Sequence, residues 1–236
     1  MQITIIGAGR AGTSFFRALR AAGHEVELRH HDDLVAVTAD VVMLCVPDDA
    51  LAEVASALEL APNTLVVHCA GSRNLDVLAP HARVGSLHPL VALPNPETGA
   101  RRLVGATYCV AGDDVVGDLV ASLSGRAFTL RDDQRAAYHA AACVAANHVV
   151  TLLGHVERLA ETVGLSLAEF LPLAQSALDD VAFNGPAMAL TGPASRGDLA
   201  TIDAHLEAIA EDERATYVAL AGAALALAER RNAASR

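Results

Sequence analysis

The sequence predicts an α/β protein: an N-terminal Rossmann domain with a doubly wound parallel sheet, followed by a smaller all-α domain. Three observations predict this. The first half alternates short apolar runs with helical patterns, a GxGxxG motif follows the first apolar run, and no strand candidate of comparable strength follows residue 130. We therefore place the boundary near residues 128–133, with a sheet domain at 1–130 and a helical domain at 131–236.

The elements are predicted from their periodicity. Strands are expected where short apolar runs occur, at residues 3–6, 26–28, 41–46, 65–68, 84–87, 107–110 and 127–130. The run at 41–46 is continuously apolar, which is typical of a strand covered on both faces. Helices are expected at residues 10–22, 48–58, 115–123, 134–163, 168–182, 199–209 and 211–230.

Composition excludes several classes of function. The 236 residues contain 17 basic side chains, all of them arginine, and 28 acidic ones, for a net charge of -11. Without lysine there is no Schiff-base or pyridoxal chemistry, no Walker-type phosphate lysine and no lysine general acid. The acidic balance argues against a nucleic-acid partner, which would require a basic stripe.

The chain shows no export or membrane signal that we recognise. The N-terminus lacks a charged n-region, and the apolar run at 217–228 is too short to span a bilayer and fits a buried helix. The four cysteines form no CxxC pair and are expected to be buried free thiols: Cys45, Cys69, Cys109 and Cys143. We therefore predict a cytoplasmic protein with no membrane partner and no metal site.

The GxGxxG motif predicts a dinucleotide site, because it stands between the first strand and the first helix. Gly7 would make the tight turn, Gly9 would let the backbone approach the pyrophosphate, and Gly12 would let the helix pack closely on the strand. The N-terminus of the helix would present free N–H groups to the anion. The predicted binding segment is Gly7, Ala8, Gly9, Arg10, Ala11 and Gly12.

The end of the second strand indicates which nicotinamide dinucleotide binds. An acidic residue there would bind the adenosine ribose hydroxyls of NAD, but the sequence has Arg29 followed by His30 and His31. A cation at this position can hold the 2′-phosphate of NADP. Asp32 and Asp33 follow directly and weaken the contrast. We predict NADP, bound by Arg29 and His30.

The loop after the third strand should line the nucleotide. Val46 and Pro47 stand at the carboxyl end of that strand, where ligands of such sheets bind. Asp48 is expected to cap the following helix by accepting from its first free N–H groups.

The loops after the fourth and fifth strands supply further candidates. Ala70 and Gly71 should lie near the nicotinamide, with Ser72 against the substrate. His88 ends the fifth strand and is a candidate catalytic residue; a structural histidine is an equally good interpretation.

Polar residues recur on one face of the long helix. His139, Cys143 and Asn147 follow one another at four-residue spacing among alanines. Buried polar groups are costly unless they are hydrogen-bonded, so this face indicates either a site or a structural pairing.

These motifs together resemble a known family. They are the GxGxxG motif, Val46-Pro47-Asp48, His88-Pro89, a long helix that begins Tyr138-His139-Ala140-Ala141, and the segment LTGPASRGD at residues 190–198. The sequence is similar over nearly its whole length to bacterial proteins in which a Rossmann-like domain precedes a helical domain of unknown function (the DUF2520 type). Those proteins resemble pyrroline-5-carboxylate reductase, ketopantoate reductase and the 6-phosphogluconate dehydrogenase superfamily.

The resemblance implies NADP-dependent reduction of a C=O or C=N bond in a small keto or imino acid. In the 3-hydroxyacid dehydrogenases of that superfamily a helix carries a catalytic lysine and, four residues later, an asparagine. If Asn147 is that asparagine, Cys143 stands in the lysine position. A thiol with a pKa of about 8.5 is a poor proton donor. His139 is then the best remaining donor, with His88 second, since histidine titrates nearest neutral pH.

The helical domain carries two more predictions. Arg196 has no evident structural task, and its planar fork suits a substrate carboxylate as well as it suits a salt bridge. Asp198 is expected to cap the helix after it. The apolar last helix, by analogy with the related reductases, predicts a homodimer formed through this domain.

Three functions remain open at this point. The first is the NADP-dependent reductase, with substrate in a cleft beside the helical domain. The second is a non-catalytic NADP-binding sensor or regulator in which the missing lysine records lost chemistry. The third is a reductase with a deazaflavin partner, for which the sequence has no separate signature.

Overall fold

The computed structural model of the chain describes residues 1–33 and 37–234. Its contacts group the chain into two compact units, Met1–Ala146 and Asn147–Arg236. The first unit therefore extends beyond the predicted boundary near residue 130 and includes the first part of the long helix.

The first unit is built on one seven-stranded sheet in the order β2-β1-β3-β4-β5-β6-β7. The strands are β1 (Gln2–Ile6), β2 (Glu25–Arg29), β3 (Val41–Leu44), β4 (Leu65–His68), β5 (Val84–Pro89), β6 (Thr107–Gly112) and β7 (Arg126–Thr129). In this order, each neighbouring pair from β2 through β1, β3 and β4 to β5 is parallel, as predicted. The pairing of β5 with β6 is antiparallel, with Leu87 opposite Val110. The doubly wound prediction is confirmed with this one reversal.

Helices cover both faces of the sheet. Those of the first unit are α1 (Arg10–Ala21), α2 (Leu51–Ala57), α3 (Pro96–Leu103), α4 (Val115–Ser122) and α5 (Arg135–Cys143). On one face Phe15 and Leu19 of α1 pack on Ile3, Ile5 and Met43. On the other face, α2 packs on the alternate side chains of the same strands, such as Val42 and Leu44 of β3. This burial on both faces explains the continuous apolar runs.

Helix α3 was not predicted. Pro96 stands at its first position, and the Asn95 side chain caps it by accepting from the N–H of Thr98 at 2.9 Å. Its Gly99 lies against Ser14 of α1 so closely that a Cβ there would come within 2.1 Å of the hydroxyl. Both helices cover the same face of the sheet.

The second unit contains α6 (Val149–Glu161), α7 (Leu167–Asn184), α8 (Pro186–Ala189), α9 (Gly192–Arg196), α10 (Leu199–Ala208) and α11 (Glu211–Ala234). Between α5 and α6 a π-helical turn, Val144–His148, interrupts the predicted single long helix. Inside the unit, Glu213 of α11 accepts from the buried His155 at 2.6 Å and from Arg158. These bonds hold the pKa of Glu213 down at about 2.

One helical run among the described residues, Asp132–Glu161, is long and apolar enough to cross a membrane by length and composition. One such helix is weak evidence, because core helices of soluble proteins pass the same test. The most apolar window of this run is not buried in the structure.

Candidate active site at the carboxyl edge of the sheet

The glycine turn has the geometry that the motif predicts. Gly7 has a φ of +110°, which side chains rarely adopt, and a Cβ there would lie 2.4 Å from the carbonyl oxygen of Cys45. At Gly12 a Cβ would lie 1.8 Å from the oxygen of Gly7. Both positions therefore require glycine, one for the turn and one for the close approach of α1.

At the start of α1, where a pyrophosphate would bind, the structure has open space and backbone N–H donors. A Cβ at Gly9 would meet no described atom within 4 Å. Gly9 is also the N-cap of α1, and no side chain among the described residues caps that helix. Unpaired N–H groups at a helix N-terminus bind anions. Arg10 is exposed and Ala8 and Ala11 are half-buried beside this space. These residues fit a dinucleotide.

Arg29 lies next to the glycine turn. Its carbonyl accepts from the N–H of Gly7 at 2.9 Å, and its guanidinium pairs with Glu27 at 2.9 Å while the side chain remains only 17% exposed. His30 follows in an exposed turn. An arginine is thus held at the end of β2, where the prediction placed it.

The loop after β3 differs from the prediction at Asp48. Helix α2 begins at Leu51, its N-cap is Ala50, and Asp48 does not cap it. The Asp48 carboxylate instead accepts from the hydroxyl of Ser72 at 2.9 Å. This bond ties the loop after β3 to the loop after β4. Val46 and Pro47 lie in the loop after β3, and a Val46 methyl is 3.3 Å from where a Gly7 Cβ would stand.

His88 lies against the Gly71 loop because of the strand register. His68 pairs with Ser86, so His88 is level with residue 70, whose N–H donates to His68 Nδ1 at 3.2 Å. A Cβ at Gly71 would lie 2.8 Å from His88 Nε2 and 2.6 Å from His139 Cδ2. The two rings, with centroids 5.9 Å apart, therefore meet at the Gly71 backbone.

Helix α5 brings three polar side chains to this edge. Arg135, only 1% exposed, donates to the Ser86 hydroxyl at 3.0 Å, and the Tyr138 hydroxyl lies 2.7 Å from His88 Nδ1. His139 follows directly, with Nδ1 at 3.9 Å from the Cys143 sulfur. The structure therefore brings together His88 and His139, which the sequence predicted, with Tyr138 and Arg135, which it did not.

Burial makes His88 and His68 weak bases. It lowers the pKa of His88 to about 4, and the proximity of His139 and Arg135 adds to the effect. His68 is fully buried; burial, with a smaller contribution from Arg135, also lowers its pKa to about 4. Burial raises the pKa of Tyr138 to about 12. At neutral pH both histidines are neutral and Tyr138 retains its proton.

The remaining predicted residues belong to the second unit. Asn147 is exposed within the π-helical turn, where its carbonyl accepts from Thr151. Arg196 is exposed at the end of α9, and no ion pair to it occurs among the described residues. Asp198 caps α10 as predicted, accepting from the N–H of Thr201 at 3.1 Å. Their roles toward substrate stay predictions.

Two family profiles match the chain. A Rossmann-like domain matches residues 28–94, and a domain of unknown function, DUF2520, matches residues 106–224. The chain belongs to the DUF2520 family. This match covers half of the chain and includes α5, the π-helical turn and the LTGPASRGD segment, as the sequence resemblance implied. No protein in the curated comparison matches this DUF2520 chain.

Solved structures share the fold of this DUF2520 protein. A provisionally named NADP oxidoreductase of Bacteroides fragilis is 23% identical, with a TM-score of 0.82 over 95% of this chain and 97% of that one. Pyrroline-5-carboxylate reductase of Streptococcus pyogenes is 16% identical, with a TM-score of 0.61 over 98% of both. A reductive aminase of Aspergillus terreus, in complex with NADPH and ethyl levulinate, is 18% identical, with a TM-score of 0.64 over 100% and 94%.

Among the described residues, no group of three or more His, Cys, Asp or Glu side chains is arranged to hold a metal ion.

Proposed function

We propose that this protein is an NADP-dependent oxidoreductase that reduces a C=O or C=N bond of a small keto or imino acid. One observation carries the proposal: two histidine rings meet at the backbone of Gly71, on the same carboxyl edge as an open glycine turn. NADP-dependent enzymes among the structures of the same fold support it.

In this proposal the chain holds the nucleotide and supplies a proton. Gly7, Gly9 and the N-terminus of α1 would bind the pyrophosphate, and Arg29 with His30 the 2′-phosphate. NADPH, when bound, supplies the hydride. His139 donates the proton to the substrate.

Tyr138 positions the second histidine. No acceptor for its hydroxyl other than His88 Nδ1 occurs among the described residues, and its raised pKa keeps the hydroxyl protonated. In this proposal Tyr138 donates to Nδ1, and the neutral His88 ring carries its hydrogen on Nε2. That nitrogen faces Gly71, where it can donate to a substrate oxygen or nitrogen.

A titration with NADPH and NADH tests the cofactor. We expect tighter binding of NADPH, and Arg29→Ala should weaken NADPH binding about tenfold while leaving NADH unchanged, because a charge-assisted hydrogen bond contributes roughly 1.5–3 kcal/mol. Glu27→Gln is the matched control: it removes the charge of the partner but keeps Arg29. Tighter binding of NADH by the unmodified protein would contradict the assignment.

A screen of small keto and imino acids tests the reaction. NADPH consumption should depend on one of these substrates and on the enzyme. Tight NADPH binding without turnover of any such acid would contradict the reductase proposal.

We also propose that the helical unit forms a homodimer. Large apolar side chains of this unit are exposed, among them Leu173, Phe183 and Met188, and such surfaces mark protein or membrane contacts. Sedimentation equilibrium without detergent should give twice the chain mass of 24.4 kDa. Phe183→Asp should dissociate the dimer, and Asp180→Asn, on the same helix, should not. A detergent-free monomer would contradict the proposal.

A further inference from the structure

Two cysteines lie side by side at the candidate site. Cys45 directly follows β3 and Cys69 directly follows β4, and the register that pairs Leu44 with His68 brings them level. Their sulfur atoms are 3.6 Å apart, both are free thiols, and both are partly buried.

This placement suits a disulfide bond. Neighbouring strands lie about 4.8 Å apart, and disulfide-linked residues usually have Cα atoms about 4.4–6.8 Å apart. Both side chains point to the α1 side of the sheet, where they pack on its core. The sulfurs need to approach from 3.6 Å to about 2.05 Å, which side-chain rotation and small shifts at the strand ends can supply.

The pair is in contact with both halves of the site. The Cys45 Cβ lies 3.2 Å from the point where a Gly12 Cβ would stand, and its carbonyl lies against Gly7. Cys69 stands two residues before Gly71, where His88 and His139 meet. A bond between the sulfurs would therefore couple the glycine turn to the Gly71 loop.

We propose that Cys45 and Cys69 are a reversible redox modification site, oxidised to a disulfide by exchange with a small disulfide such as glutathione disulfide, and that oxidation weakens dinucleotide binding. Formation of the bond does not depend on the proposed function; its effect on the dinucleotide rests on it. Closing the sulfurs rotates the Cys45 side chain and shifts the end of β3, which lies against the backbone of the glycine turn, so the turn changes its geometry.

The exchange proceeds in two balanced steps. The Cys45 thiolate attacks glutathione disulfide, which forms a mixed disulfide and releases one glutathione thiolate. Cys69 then loses its proton and attacks the Cys45 sulfur, which releases the second glutathione. The pair loses two electrons and two protons, and the glutathione disulfide is reduced to two thiols. Cys45 is the first nucleophile because the hydrogen bond to Cys45, together with burial, raises the pKa of Cys69.

Thiol counting tests the bond. The full chain is equilibrated in anaerobic buffers of varied glutathione to glutathione disulfide ratio, alkylated under denaturing conditions and weighed. We expect four alkylated cysteines in reducing buffer and two in oxidising buffer. Cleavage after glutamate, which separates the two cysteines at Glu53 and Glu59, should then give one cross-linked peptide pair that contains Cys45 and Cys69. Cys45→Ser and Cys69→Ser should each abolish the cross-link, whereas Cys143→Ser and Cys109→Ala should keep it. Four alkylated cysteines at every ratio, or a cross-link between other cysteines, would overturn the proposal.

Binding tests the consequence. The chain has no Trp, so the fluorescence of NADPH itself can follow its binding without interference from indole. We expect oxidised protein to bind NADPH about tenfold more weakly than reduced protein, and dithiothreitol to restore binding. Equal affinity of the two forms overturns the regulatory part alone. If neither form binds NADPH, the proposed function fails, while the thiol count still decides whether the disulfide forms.

Discussion

His139→Ala is expected to lower the kcat of NADPH-dependent reduction about 10²- to 10⁴-fold, the range typical of a removed general acid. The ring of His139 meets that of His88 at the backbone of Gly71, and the chain has no lysine that could replace it. The Kd for NADPH should not change, because the glycine turn and Arg29 are untouched. Steady-state kinetics on the substrate found in the screen, with a separate binding titration, measures both.

Two further variants test which histidine donates the proton. His148→Ala is the matched control, since His148 is an exposed histidine of the same helical run and should retain full turnover. Turnover that survives in His139→Ala but disappears in His88→Gln would overturn the His139 assignment and make His88 the donor.

Tyr138→Phe separates positioning from structure. We expect about a tenfold loss of kcat, because one hydrogen bond to His88 disappears while the ring remains. ¹⁵N NMR of the unmodified protein should show His88 protonated on Nε2, and the variant should lose this tautomer preference. An Nδ1-protonated His88 in the unmodified protein would contradict the positioning role.

The sheet could be predicted because its signals are local. Continuous apolar runs mark strands covered on both faces. Gly12 is required by the carbonyl oxygen of Gly7, five residues earlier, and Gly7 by its own φ of +110° as well as by the more distant carbonyl of Cys45. The antiparallel reversal between β5 and β6 is different in kind. The direction of β6 depends on the connection through α3. The start of that helix at Asn95 looks, in the sequence, like many other polar loops, so the pattern alone does not indicate the direction of the strand that follows.

The candidate site could be predicted only in part, because only some of its residues have a local signal in the sequence. Strand-end His88 and helical His139 were found because their residue types are unusual at their positions. Tyr138 and Arg135 were missed because spacing shows which residues share a face of α5 but not which face packs on the sheet. The capping role expected for Asp48 was wrong, since the Ser72 hydroxyl, 24 residues away in sequence, is its partner.

His68 gives the second large expected effect: the free energy of unfolding should fall as the pH is lowered from about 6.5 to about 4. An unfolded histidine binds a proton near pH 6.5, but folded His68 does so only near pH 4, because burial and the charge of Arg135 oppose it. Between these values the unfolded chain binds more protons, so stability rises with pH there. The contribution is fully present above pH 6.5 and is lost as the pH falls to 4.

The contribution of His68 to the loss of stability at low pH can be distinguished from that of other titrating groups. A shift from 6.5 to about 4 corresponds to roughly 3 kcal/mol for the fully buried His68, at 1.36 kcal/mol per unit. His68→Gln should therefore flatten the dependence of unfolding free energy on pH in this window, whatever its stability at pH 7, whereas exposed His148→Gln should not. NMR titration of His68 in the folded protein gives the pKa directly. Two results would contradict the prediction: an unaltered dependence of the unfolding free energy on pH in His68→Gln, or titration of His68 near pH 6.5. Either would show that the folded protein tolerates a protonated His68 beside Arg135.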